Sequence, residues 1–107
     1  MTERNWTFLT NHGHALVCIS RDPDIRIRDI ADRIGITERA AQSIVADLVA
    51  AEYVVRHRVG RRNRYDVNLD RPLRHQLEAD SRVGELLGVL EQSRTAVADD
   101  TGSSGVG

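Results

Sequence analysis

The sequence predicts a mainly helical α+β domain: three helices, then a β-hairpin, then a last helix. Three observations carry that expectation. Gly35 stands between two short amphipathic segments, the acid-free stretch Tyr53–Tyr65 alternates at period two around a glycine turn, and a leucine-rich segment follows Pro72. At 107 residues the chain supports one compact domain. Its expected extent is 1–93, followed by a small, polar, aperiodic tail over 94–107.

The first helix is expected over Asn11–Arg21, where Ala15, Leu16, Val17, Cys18 and Ile19 are apolar. Thr10 or Asn11 is a suitable N-cap, and Asp22-Pro23-Asp24 stops the helix because Pro23 disfavours helical geometry before it. Ile25-Arg26-Ile27 alternates and is short, which suggests a brief strand and a three-stranded sheet in all. Arg28–Ile34 reads as a two-turn helix with Ile27, Ile30, Ala31 and Ile34 on one face, and Gly35 supplies the positive φ of a sharp stop. Thr37 caps a third helix that runs to about Ala51. Its buried stripe is Ala40, Ala41, Ile44, Leu48 and Ala51, and its outward face is Arg39, Gln42, Ser43, Ala46 and Ala50.

Tyr53–Val59 and Arg64–Leu69 read as two strands around the turn Gly60-Arg61-Arg62-Asn63. Pro72 suits the first turn of a last helix carrying Leu73, Leu77, Val83, Leu86, Leu87 and Leu90. Helix, short strand, helix, tight turn, helix and basic hairpin is the order of a winged helix-turn-helix. Its pivot is Ile30-Ala31 with Ile34-Gly35-Ile36 and Ile44, where Ala31 lets two helices cross closely and the isoleucines share a core.

Charge distribution adds a partner class. The net charge is −1, yet all 15 basic residues are arginine and five of them, Arg56, Arg58, Arg61, Arg62 and Arg64, fall within Tyr53–Tyr65. A concentrated basic stripe on a neutral chain is the electrostatic footprint of a phosphate partner. Arginine can pair bidentately with guanine and glutamine with adenine, and Arg39, Gln42 and Ser43 share the outward face of the third helix. Arg61 and Arg62 at the hairpin tip suit a narrow minor groove. Arg56, Arg58 and Arg64 suit phosphates, which give affinity and salt dependence.

The stretches IRDIADRIGITERAAQSIVADLVAAEYV and RVGRRNRYDV, with Leu9-Thr10 opening the first helix, resemble the winged-helix bacterial transcription regulators of the MarR and ArsR families over about Leu9 to Leu69. The resemblance implies sequence-specific double-stranded DNA binding. It implies that helix 37–51 enters the major groove with Arg39, Gln42 and Ser43 towards the bases and Thr37 near a phosphate, and that the wing, 53–69, lies on the flanking minor groove. The rival reading is a winged helix used for protein–protein contact as a subunit of a larger assembly.

Other features have plainer readings. His75 and Glu78 are spaced like two ligands on one helical turn, and His12 and His14 lie on the first helix, but three or four converging donors are needed for a metal site. No metal, cofactor or catalytic group is expected. Cys18, the single cysteine, reads as a core residue. Gly84 and Gly88, four apart, suit close helix approach or local fraying. Leu73, Leu77, Leu87 and Leu90, with Trp6, Phe8 and Leu9, suit either a homodimer surface or a helix folded back on its own core. The absence of a long apolar run or signal core points to a cytoplasmic protein; the sequence identifies no small-molecule effector.

Overall fold

The computed structural model describes residues 6–92, so the tail expected over 94–107 lies outside the described residues. Helix α1 spans Asn11–Arg21, α2 Ile27–Ile34 and α3 Glu38–Ala50; strands β1 (Val54–Val59) and β2 (Arg62–Val67) follow, and α4 is helical over 83–92. The chain divides into two compact units, Met1–Val67 and Asn68–Gly107.

Local chemistry explains the boundaries in the first unit. Thr10 caps α1 by accepting from the Gly13 N–H at 3.1 Å, and Thr37 caps α3 by accepting from the Ala40 N–H at 3.0 Å. Gly35 ends α2 at φ 85, ψ 37, and the N–H groups of both Gly35 and Ile36 donate to the Ala31 carbonyl. At the end of α3 the left-handed position goes to Glu52, φ 66, with Tyr53 N–H donating to Leu48 and Glu52 N–H to Val49, the double bond of a Schellman stop.

The core of this unit is Ala15, Leu16, Ile19, Ile25, Ile30, Ala31, Ala41, Ile44, Val45, Leu48, Tyr53, Val54 and Tyr65, all buried. The α3 stripe therefore includes Val45 in place of Ala40 and Ala51, which are only half-buried. Among the described residues no charged or polar side chain is buried.

The sheet has two strands among the described residues, paired antiparallel from Val54↔Val67 to Val59↔Arg62. The third strand expected at Ile25–Ile27 is absent there: Ile25 is a core residue, Arg26 precedes α2 in extended geometry, and Ile27 opens that helix. The turn before it gives β2 a single backbone bond, Tyr65 N–H to Pro23 C=O at 2.9 Å. The hairpin turn is also tighter than expected. It is Gly60-Arg61 alone, with φ 63 at Gly60, as a turn with positive φ at its first central residue requires, so Arg62 and Asn63 belong to β2.

The second unit corrects the expected last helix. Residues 71–82 are not helical: Pro72 pairs with Arg82 in an antiparallel bridge, Leu73 N–H donates to Ser81, and Val83 N–H donates to Arg71. Proline fits there because a bridge edge, like a first helical turn, asks no N–H of it. The helix starts instead where the Glu85 carboxylate accepts from the Arg82 N–H at 2.8 Å, half of a capping box. Leu77 consequently sits in a turn and is 87% exposed, while Val83 and Leu87 are buried. His75 and Glu78 lie in the same turn region, so the helical ligand spacing expected of them does not exist. Gly84 serves close approach to the turn at Leu69 rather than to another helix: a Cβ there would stand 3.1 Å from both the Cβ and the carbonyl oxygen of Leu69, whose C=O accepts from the Gly84 N–H.

Candidate nucleic-acid interface

Helix α3 packs against α1, α2 and β1, so one side is occupied by the core and the other is presented outward. Arg39, Gln42, Ser43, Ala46 and Ala50 are all exposed. The side chains of Arg39, Gln42 and Ser43 make no hydrogen bond or ion pair to another described residue, leaving their donors and acceptors available. The small Ala46 and Ala50 keep that face low. Asp47, the one acid in the middle of α3, is turned to α1, where its Oδ2 lies 2.8 Å from His12 Nε2. Thr37 uses its hydroxyl oxygen as the cap acceptor, which leaves its O–H free to donate.

The five wing arginines separate into three groups. Arg56 and Arg58 share the β1 face opposite Tyr65 and Asn63, and Arg58 Nε donates to the Gly60 carbonyl at 3.0 Å. Arg61 occupies the tip, exposed and without a hydrogen bond or ion pair to another described residue. Arg62 and Arg64 lie on the other face, with Val55, His57, Val59 and Asp66. Both reach back to the α1–α2 turn: Arg62 Nη2 donates to the Asp24 carbonyl at 2.9 Å, and Arg64 Nη1 lies 3.1 Å from each Asp24 carboxylate oxygen. The tip expected to carry Arg61 and Arg62 therefore carries Arg61 alone. Asp24 is a neighbour of the wing that sequence reasoning missed; its partners stand about forty positions away, and no local pattern signals them.

His57 Nε2 and Asp66 Oδ2 are 2.9 Å apart on the wing's outer face. A groove of about 290 Å³ between α1 and α2 is lined by His14, Val17, Cys18, Arg21, Arg33 and Ile34. Burial pushes the Cys18 thiol up from its ordinary value, more than Arg33 and Arg21 pull it down. Among the described residues no cluster of three His, Cys, Asp or Glu could hold a metal, and no helix is long and apolar enough to cross a membrane.

Three helices around a Gly35 turn, followed by an arginine-tipped hairpin, define a winged helix-turn-helix protein. A model of the MarR family matches residues 8–64, just over half of the chain, and the chain belongs to that family. MarR-family proteins are DNA-binding transcription regulators rather than enzymes. No curated protein matches the chain at a significant level.

Proposed function

We propose that this chain is a homodimeric, sequence-specific regulator that lays α3 in the major groove and its hairpin on the flanking minor groove. The observation that carries the reading is the outward face of α3, where Arg39, Gln42 and Ser43 are exposed with no competing partner among the described residues. On this reading Arg39 reads guanine and Gln42 adenine, each bidentate pair contributing about 1–3 kcal/mol of discrimination. Ser43 supplements them, and the Thr37 hydroxyl donates to a phosphate. Arg61 enters the minor groove, with Arg56 and Arg58 on the phosphates beside it. Arg62 and Arg64 sit on the same wing, but their guanidinium groups already have an acceptor in Asp24.

A dimer fits two half-sites one helical turn apart, and the exposed Trp6 and Phe8, stacked edge to face at 5.1 Å, are apolar surface for it. Cytoplasmic placement follows from the regulator reading. Selection from a random duplex pool tests the whole: wild type should enrich a two-fold motif, and Gln42→Ala should change the preferred bases at one position in each half-site with little change in overall affinity. Identical motifs from the two proteins, or none from wild type, would sink the reading.

A further inference from the structure

We infer that Asp24 is a positioning residue for the wing: it binds Arg64 and Arg62 within the protein, so these two arginines hold the hairpin in place rather than contact DNA phosphate. The inference deepens the proposed reading of the wing and rests on it for its DNA-binding part.

Two antiparallel strands alone are marginal in water; this pair packs on α1 and α3 through residues such as Val54 and Tyr65. The α1–α2 turn adds one backbone bond, Tyr65 N–H to Pro23 C=O, and accepts from two β2 side chains as well. The turn is hydrogen-bonded within itself: the Asp22 carboxylate accepts from the Asp24 N–H at 3.2 Å and the Asp22 carbonyl from the Ile25 N–H at 3.0 Å. The turn then presents three acceptors to β2, namely the Pro23 carbonyl, the Asp24 carbonyl and the Asp24 carboxylate. Tyr65 takes the first through its backbone, Arg62 the second and Arg64 the third. Residues 62 and 64 share one face of the strand, so one short turn grips β2 at two successive side chains on one side of the latched backbone. Tyr65, the residue next to Arg64, has its ring in the core and is 2% exposed. Arg61, immediately beyond, is the tip whose direction this latch sets.

An electrostatic account and a positioning account give opposite signs for one substitution. Asp24→Asn adds one unit of positive charge to the protein beside the wing. If Arg64 contacts phosphate and Asp24 merely competes for it, the substitution strengthens binding to a polyanion, while Arg64→Gln weakens it. If Asp24 positions the wing, Asp24→Asn weakens binding despite the added charge. Arg64→Gln then weakens it too, and the double variant is no worse than Arg64→Gln alone, because all three break the same contact.

The test uses the full chain and titration of a mixed-sequence duplex, whose binding is dominated by phosphate contacts. Each single variant and the double variant should lose two- to fivefold in affinity, and Asp24→Glu, which keeps the carboxylate, should recover most of it. Amide exchange in the free protein supplies a readout independent of DNA: the Tyr65 N–H should exchange several-fold faster in Asp24→Asn and return towards wild type in Asp24→Glu. Tighter binding by Asp24→Asn, additive losses in the double variant, or unchanged Tyr65 exchange would each overturn the inference. A wild type that bound no duplex would instead overturn the regulator reading, and the latch would stand or fall on the Tyr65 exchange alone.

Discussion

Replacing Gly35 with alanine should destabilise the protein by about 1 kcal/mol, for a reason the geometry isolates. A Cβ built at Gly35 meets nothing within 4 Å, so no clash contributes. What remains is the backbone: Gly35 sits at φ 85, ψ 37, where an L-residue pays about 1–2 kcal/mol. Alanine recovers part of this, roughly 0.4–1 kcal/mol, by restricting the unfolded chain. The difference corresponds to a fall in melting temperature of about 4–8 °C per kcal/mol for a domain of this size. Thermal melts and urea titrations on the same samples measure it, and an unchanged urea slope would show that both proteins expose the same surface on unfolding. Gly35→Asn should cost less than Gly35→Ala, since asparagine tolerates left-handed geometry better. The sign is decisive: an alanine variant more stable than wild type would mean that φ at residue 35 is not positive and that the helix-turn-helix stop is built differently.

Other consequences follow from burial and local contact. Ile30→Val should cost about 0.5–1.5 kcal/mol in a urea titration, because Ile30 is fully buried, whereas Ile34→Val at a half-buried position should cost clearly less. Gly84→Ala should lower stability although alanine is the better helix former, since its Cβ would crowd the Leu69 backbone at 3.1 Å; faster exchange of the Gly84 N–H would report the strain. Cys18 should alkylate slowly with iodoacetamide at pH 8, its thiol being held above the ordinary 9.0 chiefly by burial. Because the folded protein holds that proton more tightly than the unfolded chain, the associated stability is complete below pH 9 and is lost as pH rises through the folded value. Cys18→Ser should remove this alkaline component from a stability–pH profile.

The parts of the fold legible in the sequence are those set by neighbours along the chain. Thr10 and Thr37 are caps because a hydroxyl at that position reaches an N–H three residues on, and both are caps in the structure. Gly35 is a stop because only a left-handed residue closes the bonds to Ala31. Two misreadings share one cause, a local signal that tertiary contact overrode. Ile25-Arg26-Ile27 has the alternation of a strand, but Ile25 is drawn into the helical core and Ile27 into α2. Pro72 has the character of a first helical residue, yet the stretch around it pairs with 81–83, and the helix waits for the Glu85 cap.

The site was half legible for a related reason. The outward face of α3 follows from helical periodicity, so Arg39, Gln42 and Ser43 could be named from spacing alone. The wing arginines could be named as a group but not told apart, because composition weights every arginine in an acid-free segment alike. Their difference comes from an acid outside the segment. Asp24 reads in the sequence as one of several early carboxylates balancing the net charge, and its effect on Arg64 exists only once the α1–α2 turn meets β2. An exposed pair such as this contributes at most about 1 kcal/mol to stability, so it does not hold the domain together. Its consequence is geometric: it ties β2 to the α1–α2 turn behind the tip that Arg61 occupies, and that bears on where the wing points rather than on how tightly the protein folds.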